Sequence, residues 1–163
     1  AVSSRGLMGF KTELMAMTKG TGMMHHSFNG YGPKGNEPPP RPNGVLVAMT
    51  QGTTTGYALS GLQERSDFFL APGVEVYEGM IVGTNSRSTD MVVNPCKPKA
   101  LTNMRSKATD DAISLEPPKI LSLEQALEFI DDDELLEVTP QSIRLRKKLL
   151  NASMRKRSEE KGA

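Results

Sequence analysis

Between residues 29 and 43 the chain carries Gly30, Gly32, Pro33, Gly35, Pro38, Pro39, Pro40 and Pro42. Proline removes a backbone donor and fixes φ, so this stretch forms neither a central strand nor a helix interior. It divides the chain into a short leading part and a longer trailing part. In the leading part, residues 4–19 read as a helix. Ser3 or Ser4 can cap it, Leu7, Phe10, Leu14 and Met17 recur at helical spacing, and Gly20 and Gly22 end it. Residues 24–28 read as a short strand.

After residue 43 the pattern becomes mostly strand. Residues 45–50 form a short apolar run, 52–56 a turn, and 57–62 follow at hairpin distance. Strands are also expected over 68–70, 74–82 and 91–93, with Gly79 marking a bulge or bend in the second. Short strands with frequent glycine turns point to a small barrel or a strongly bent sheet. A second helix is expected over 123–130. Ser122 and Gln125 make a capping box, and Leu123, Ala126, Leu127 and Ile130 form one apolar face. Asp131, Asp132 and Asp133 follow, where a helix C-terminus disfavours anions, so the helix stops there. Residues 135–138 and 143–147 then read as a hairpin with Leu136, Val138, Ile143 and Leu145 inward. Glu137, Arg144 and Arg146 face out, and Glu137 can pair across the strands. From residue 151 the chain is a basic polar tail, frayed or helical.

With no Trp and only eight Phe and Tyr, the core rests on Val, Leu, Ile and ten Met. Cys96 is the single cysteine, which excludes an intramolecular disulfide and a cysteine-rich zinc site. No apolar run approaches the ~18 residues of a membrane span, so no membrane partner is expected. The chain opens at Ala1, just ahead of a credible helix start, and reads as part of a longer protein.

Several motifs resolve to bland readings. Residues 30–35 match G-x-G-x-x-G, but three prolines follow where a dinucleotide site needs a helix. No P-loop pattern occurs. His25 and His26 are adjacent and would point to opposite faces of a strand, a poor chelating pair. Asp131 to Glu134 lack the glycine and distal glutamate of a calcium loop, and a solvated turn, or one paired with the cations at 144–148, is favoured. No catalytic, cofactor-binding or metal-binding residue is therefore expected. Asn151-Ala152-Ser153 fits a glycosylation acceptor by accident.

The charge distribution is more informative than the net charge of +1. Residues 116–137 hold eight acids and one lysine, and 141–163 hold eight bases and two acids, so much of this neutralises mutually. Residues 97–107 carry Lys97, Lys99, Arg105 and Lys107 with no acid. Prolines 95 and 98 lead into this segment, and prolines 117 and 118 close the chain behind it. It reads as a presented basic loop or an ordinary solvated connection. Lysine and arginine neutralise phosphates, Asn103 and Arg105 offer planar hydrogen-bonding groups, and Met104 can pack on a base or sugar. Arg144, Arg146, Lys147 and Lys148 form a second basic cluster for secondary phosphate contacts.

Residues 73–83 (GVEVYEGMIVG), 99–105 (KALTNMR) and 123–140 (LEQALEFIDDDELLEVTP) closely resemble the C-terminal part of the TypA/BipA family. These are translational GTPases related to elongation factor G. Residues 4–10 (SRGLMGF) resemble the second half of that family's fifth domain. The resemblance implies an α+β fold: a partial ferredoxin-like segment with a Gly/Pro-rich connection over 1–42, a mostly β domain with one helix and a long basic loop over 43–150, and the tail over 151–163. It implies docking on a 70S-type ribosome, with 23S rRNA and A-site tRNA as partners. The basic loop would point toward the tRNA acceptor end and the peptidyl-transferase region. It further implies action in ribosome assembly or translation under stress, in a bacterial cytoplasm or a chloroplast stroma. The family's GTPase domain has no counterpart here, so GTP and Mg²⁺ are expected only in that domain. The exposed face of the leading helix implies self-association. The rival expectation is a protein-interaction module that uses the acidic helix end and apolar surface against ribosomal or assembly proteins.

Overall fold

The computed structural model describes residues 2–7, 9–33, 41–99 and 114–162. The leading part forms α1 (Ser4–Leu7) and α2 (Phe10–Met17). Ser3 Oγ accepts from the Gly6 amide at 3.0 Å and caps α1. The single helix expected over 4–19 is broken at Gly9, whose φ of 78° is left-handed backbone that no right-handed helix contains. Residues 24–28, expected as a strand, have no ladder among the described residues. A strand requires a neighbour's N–H and C=O groups, and none is paired with this segment.

The trailing part runs β1 (Val45–Ala48), β2 (Gly52–Thr53), α3 (Gly56–Gln63), β3 (Ser66–Phe68), β4 (Glu75–Val76), β5 (Met80–Asn85), β6 (Met91–Val93), α4 (Leu123–Phe129), β7 (Glu134–Val138), β8 (Ile143–Lys147) and α5 (Ala152–Gly162). The fold is α+β. Five strands pair in the order β6-β1-β5-β8-β7, and β3 joins the sheet on β5. All pairs are antiparallel except β1 with β6. Among the described residues the sheet is open, with a register shift at Leu46/Val47, rather than a closed barrel. β2 and β4 form a separate ladder.

β5 is the centre. β1 lies along one edge, and the other edge is shared by β8 at Met80 and Ile81 and by β3 from Gly83 to Asn85. Gly83 allows that closeness, since a Cβ there would stand 2.3 Å from the Asp67 carbonyl oxygen. Side chains alternate between two cores. Leu46, Ala48, Met80 and Val82 face one, with Leu70, Val76 and Val93; Val45, Val47 and Ile81 face the other, with Ala126 and Leu145. Both faces are covered, so β1 reads as a continuous apolar run.

Residues 57–62, expected as a hairpin arm, are α3. A short apolar run does not distinguish strand from helix. Thr55 decides, because its side chain accepts from the Ala58 amide at 3.2 Å and starts a helix that buries Ala58 and Leu59. The trailing part therefore holds α3 as well as α4, not one helix, and its tail is α5. Gly79, at φ 85°, divides the expected strand over 74–82 into β4 and β5.

α4 carries the expected capping box, with 3.0 and 3.3 Å bonds between Ser122 and Gln125. Its apolar face is shifted from the expected one. Leu123 and Leu127 are 44% and 48% exposed, while Ala126, Phe129 and Ile130 meet the sheet. The small Ala126 sits at the contact point and sets the rotation of this two-turn helix. The β7–β8 hairpin pairs Leu136 with Leu145 and Val138 with Ile143. Only the Leu136–Leu145 end is covered; Val138 is 60% exposed. Among the described residues no helix is long and apolar enough to cross a membrane.

Candidate nucleic-acid interface

The basic segment is rooted on α3. Thr55 Oγ1 donates to the Lys97 carbonyl at 2.6 Å, and the Thr55 amide donates to the buried Pro95 carbonyl at 3.0 Å. The same hydroxyl oxygen caps α3. On the returning limb, Leu115 Cδ1 lies 3.8 Å from where a Cβ on Gly56 would stand. The Glu116 amide donates to Gln63 Oε1 at 3.1 Å, and the Lys119 amide donates to the Phe68 carbonyl at 2.7 Å. The N-cap of α3 therefore holds the leading limb, and its last residue, Gln63, holds the returning one, with β3 behind it. Fixing the roots lowers the ordering cost of whatever the segment contacts.

Lys97 and Lys99 are exposed at the leading root. Asn103, Met104, Arg105 and Lys107 lie outside the described residues, as does Gly35. The second basic cluster divides. Arg144 is exposed and, among the described residues, has no ion pair. Arg146 Nε pairs with Glu137 Oε1 at 2.6 Å, the cross-strand pairing expected of Glu137. Glu137 also accepts from the Tyr77 hydroxyl at 2.6 Å, and burial together with this bond pushes the phenol well above its usual range. Lys148 Nζ donates to the Asp132 carbonyl.

Lys147 is corrected outright. It is 2% exposed, and its ammonium lies 2.6 Å from Asp90, 2.8 Å from Asp133 and 2.9 Å from Glu134. An ammonium so enclosed does not reach a phosphate. The signal was in the sequence: counting by two from Ile143 and Leu145 arrives at Lys147 on the inward face. Burial opposes its charge, but the carboxylates around it raise its pKa well above the usual range.

Glu134 pairs with Lys147, within the expected pairing of its turn with the cations at 144–148, whereas Arg41 was missed as its second partner. The Glu134 side chain is fully buried and bonds bidentately to Arg41 at 2.7 and 2.5 Å. Burial alone would raise its carboxyl, but Arg41 and Lys147 hold it below the usual carboxylate range. The acidic turn is thus occupied by cations of the chain. Among the described residues no group of three or more His, Cys, Asp or Glu could hold a metal ion.

Of the two forms expected for the tail, frayed or helical, it takes the helical one: α5 is a polar helix begun by Asn151, whose Oδ1 accepts from the Ser153 and Met154 amides at 3.0 and 3.2 Å. Arg155 is folded back onto the Leu149 and Leu150 carbonyls, while Lys156 and Arg157 are exposed without a partner among the described residues. The uncovered end of the hairpin opens a groove of about 680 Å³, lined by Phe69, Val74, Ile120, Leu121, Val138 and Ile143 among others. Only spatial assembly joins those side chains.

Residues 43–152 match the TypA/BipA C-terminal domain model, and residues 1–42 match the elongation factor G C-terminus model. The chain is 54% identical over 158 residues to the large ribosomal subunit assembly factor BipA of Haemophilus influenzae. It is 52% identical over 158 residues to the protein of that name from Salmonella typhimurium. Each alignment covers 96% of this chain and 26% of the relative. It is 45% identical over 161 residues to the Bacillus subtilis factor, covering 98% of this chain and 26% of that protein. The chain therefore spans about a quarter of the length of these relatives.

Proposed function

The chain belongs to the TypA/BipA family of translational GTPases, in its C-terminal region, and from that premise we propose that it is a ribosome-docking module that binds RNA through its basic loop. The relatives are large ribosomal subunit assembly factors by name, which supports the ribosome as partner. The observation that supports the RNA reading is that α3 anchors both limbs of the segment that carries the acid-free basic run 97–107, with Asp110 and Asp111 following that run. Lys97, Lys99, Asn103, Met104, Arg105 and Lys107 contact 23S rRNA or the acceptor end of A-site tRNA near the peptidyl-transferase region. Arg144, and outside its pairing Arg146 and Lys148, add phosphate contacts; Lys147 does not. The module performs no chemistry itself, and GTP with Mg²⁺ belongs to the GTPase domain of the family. The work is ribosome assembly or translation under stress, in a bacterial cytoplasm or a chloroplast stroma.

The test is co-sedimentation with 70S ribosomes over a salt series, beside Arg105→Glu/Lys107→Glu. Phosphate contacts release counterions, so affinity falls steeply with salt, and the reversed variant should bind several-fold more weakly at low salt. Equal binding by both proteins refutes the loop assignment.

The apolar groove favours a second reading, contact with a ribosomal or assembly protein. Binding that persists from low to moderate salt and is lost in Val138→Asp/Ile143→Asp supports it. Exposed Phe10, Met15 and Met17 on α2 support self-association, which concentration-dependent sedimentation would reveal.

A further inference from the structure

We propose that Arg41 is a clamp that locks the elongation-factor-like region and the C-terminal domain into one unit. Arg41 is the penultimate residue of the segment matched to elongation factor G, yet its long-range side-chain bonds all lie in the segment matched to the TypA/BipA domain. Nη1 donates to the Phe129 carbonyl at 2.7 Å, at the last residue of α4, where helix carbonyls carry partial negative charge. Nη1 and Nη2 grip Glu134, and Nε donates to the Asn43 carbonyl at 3.0 Å. The guanidinium also lies 4.6 Å from the centre of the Phe129 ring. Four of its five N–H groups are used, and its side chain is 9% exposed.

A second contact falls on the same helix. A Cβ on Gly9, at the turn between α1 and α2, would lie 3.6 Å from the Glu128 carboxylate. The leading region thus comes near α4 at Glu128, beside Gly9, and bonds to it at Phe129 through Arg41. The C-terminal domain does not require Arg41 to neutralise Glu134, because Lys147 already stands 2.9 Å away and the Asp131 amide donates at 3.0 Å. A buried ion pair often adds little net stability, and its best-attested use is to select one arrangement over others. A planar fork that meets one carboxylate and one carbonyl permits a single approach direction.

The test uses the full chain with spin labels at Lys11→Cys and Gln141→Cys in a Cys96→Ser background. Pulsed EPR should give one narrow distance distribution with Arg41 present. In Arg41→Met it should broaden at least twofold, while the melting temperature of the sheet stays within a few degrees. Arg41→Lys keeps the charge but loses the fork, and should fall between. Should Arg41→Met not fold, the Arg41→Lys width decides alone. A width unchanged by these substitutions, or already broad with Arg41 present, overturns the proposal.

Discussion

Lys147 and Arg144 are three residues apart on one strand and have opposite fates. Lys147 is enclosed by three carboxylates beneath α4, whereas Arg144 stands in solvent without an ion pair among the described residues. The same contrast extends to the ends of the domain. Around Glu134, charge is used to join β7, β8, the turn before β6 and the Gly/Pro segment. At Lys97, Lys156 and Arg157, charge is presented outward. A run of cations is therefore not one functional unit, because strand alternation and helix capping distribute it between structure and surface.

The largest expected effect lies on the buried side. Glu134→Ala leaves Arg41 and Lys147 facing an empty site and should cost about 3–5 kcal/mol, the scale for breaking a buried ion pair. Urea unfolding at pH 7 measures it, and a loss below about 1 kcal/mol would erase the contrast with the surface cations. Acid sharpens the same point. The folded carboxyl of Glu134 lies below its unfolded value of about 4.3. Its stabilisation is complete above that value and is lost as pH falls through the lower, folded one. Thermal melts from pH 7 to 3 should therefore show the gap between wild type and Glu134→Gln narrowing below about pH 4.

Thr55→Val tests the root of the loop. It removes the α3 cap and the bond to the Lys97 carbonyl, and should cost about 1 kcal/mol with a modest loss of ribosome binding. Thermal melts and co-sedimentation read the two effects. The smallest change in stability belongs to Lys156→Ala/Arg157→Ala, within about 0.5 kcal/mol, as is usual for surface positions. If α5 meets phosphate, the salt slope of ribosome binding should flatten by about two. An unchanged slope would place α5 with the solvated surface.

Much of the architecture was legible because its signals are local. The Ser122–Gln125 capping box, the β7–β8 hairpin, the break at Gly79 and β1 all follow from contacts within a few residues. α3 was not legible from apolar spacing, although Thr55 was a usable cap. The rotation of α4 was not legible either, because Ala126 is unremarkable until the sheet beneath it is known. At the candidate site, acid-free charge marked the basic segment, while its grip by Thr55 and Gln63 joins residues more than forty positions apart.

By itself the sequence determined an α+β chain, the family resemblance and a basic segment bounded by prolines. Each is carried by residue type and short-range spacing. Tertiary structure alone decided which partners the buried charges meet. Arg41 meets Glu134 across 93 positions, and no local pattern reports that pairing. A buried charge is stable only where the folded chain assembles its partners around it.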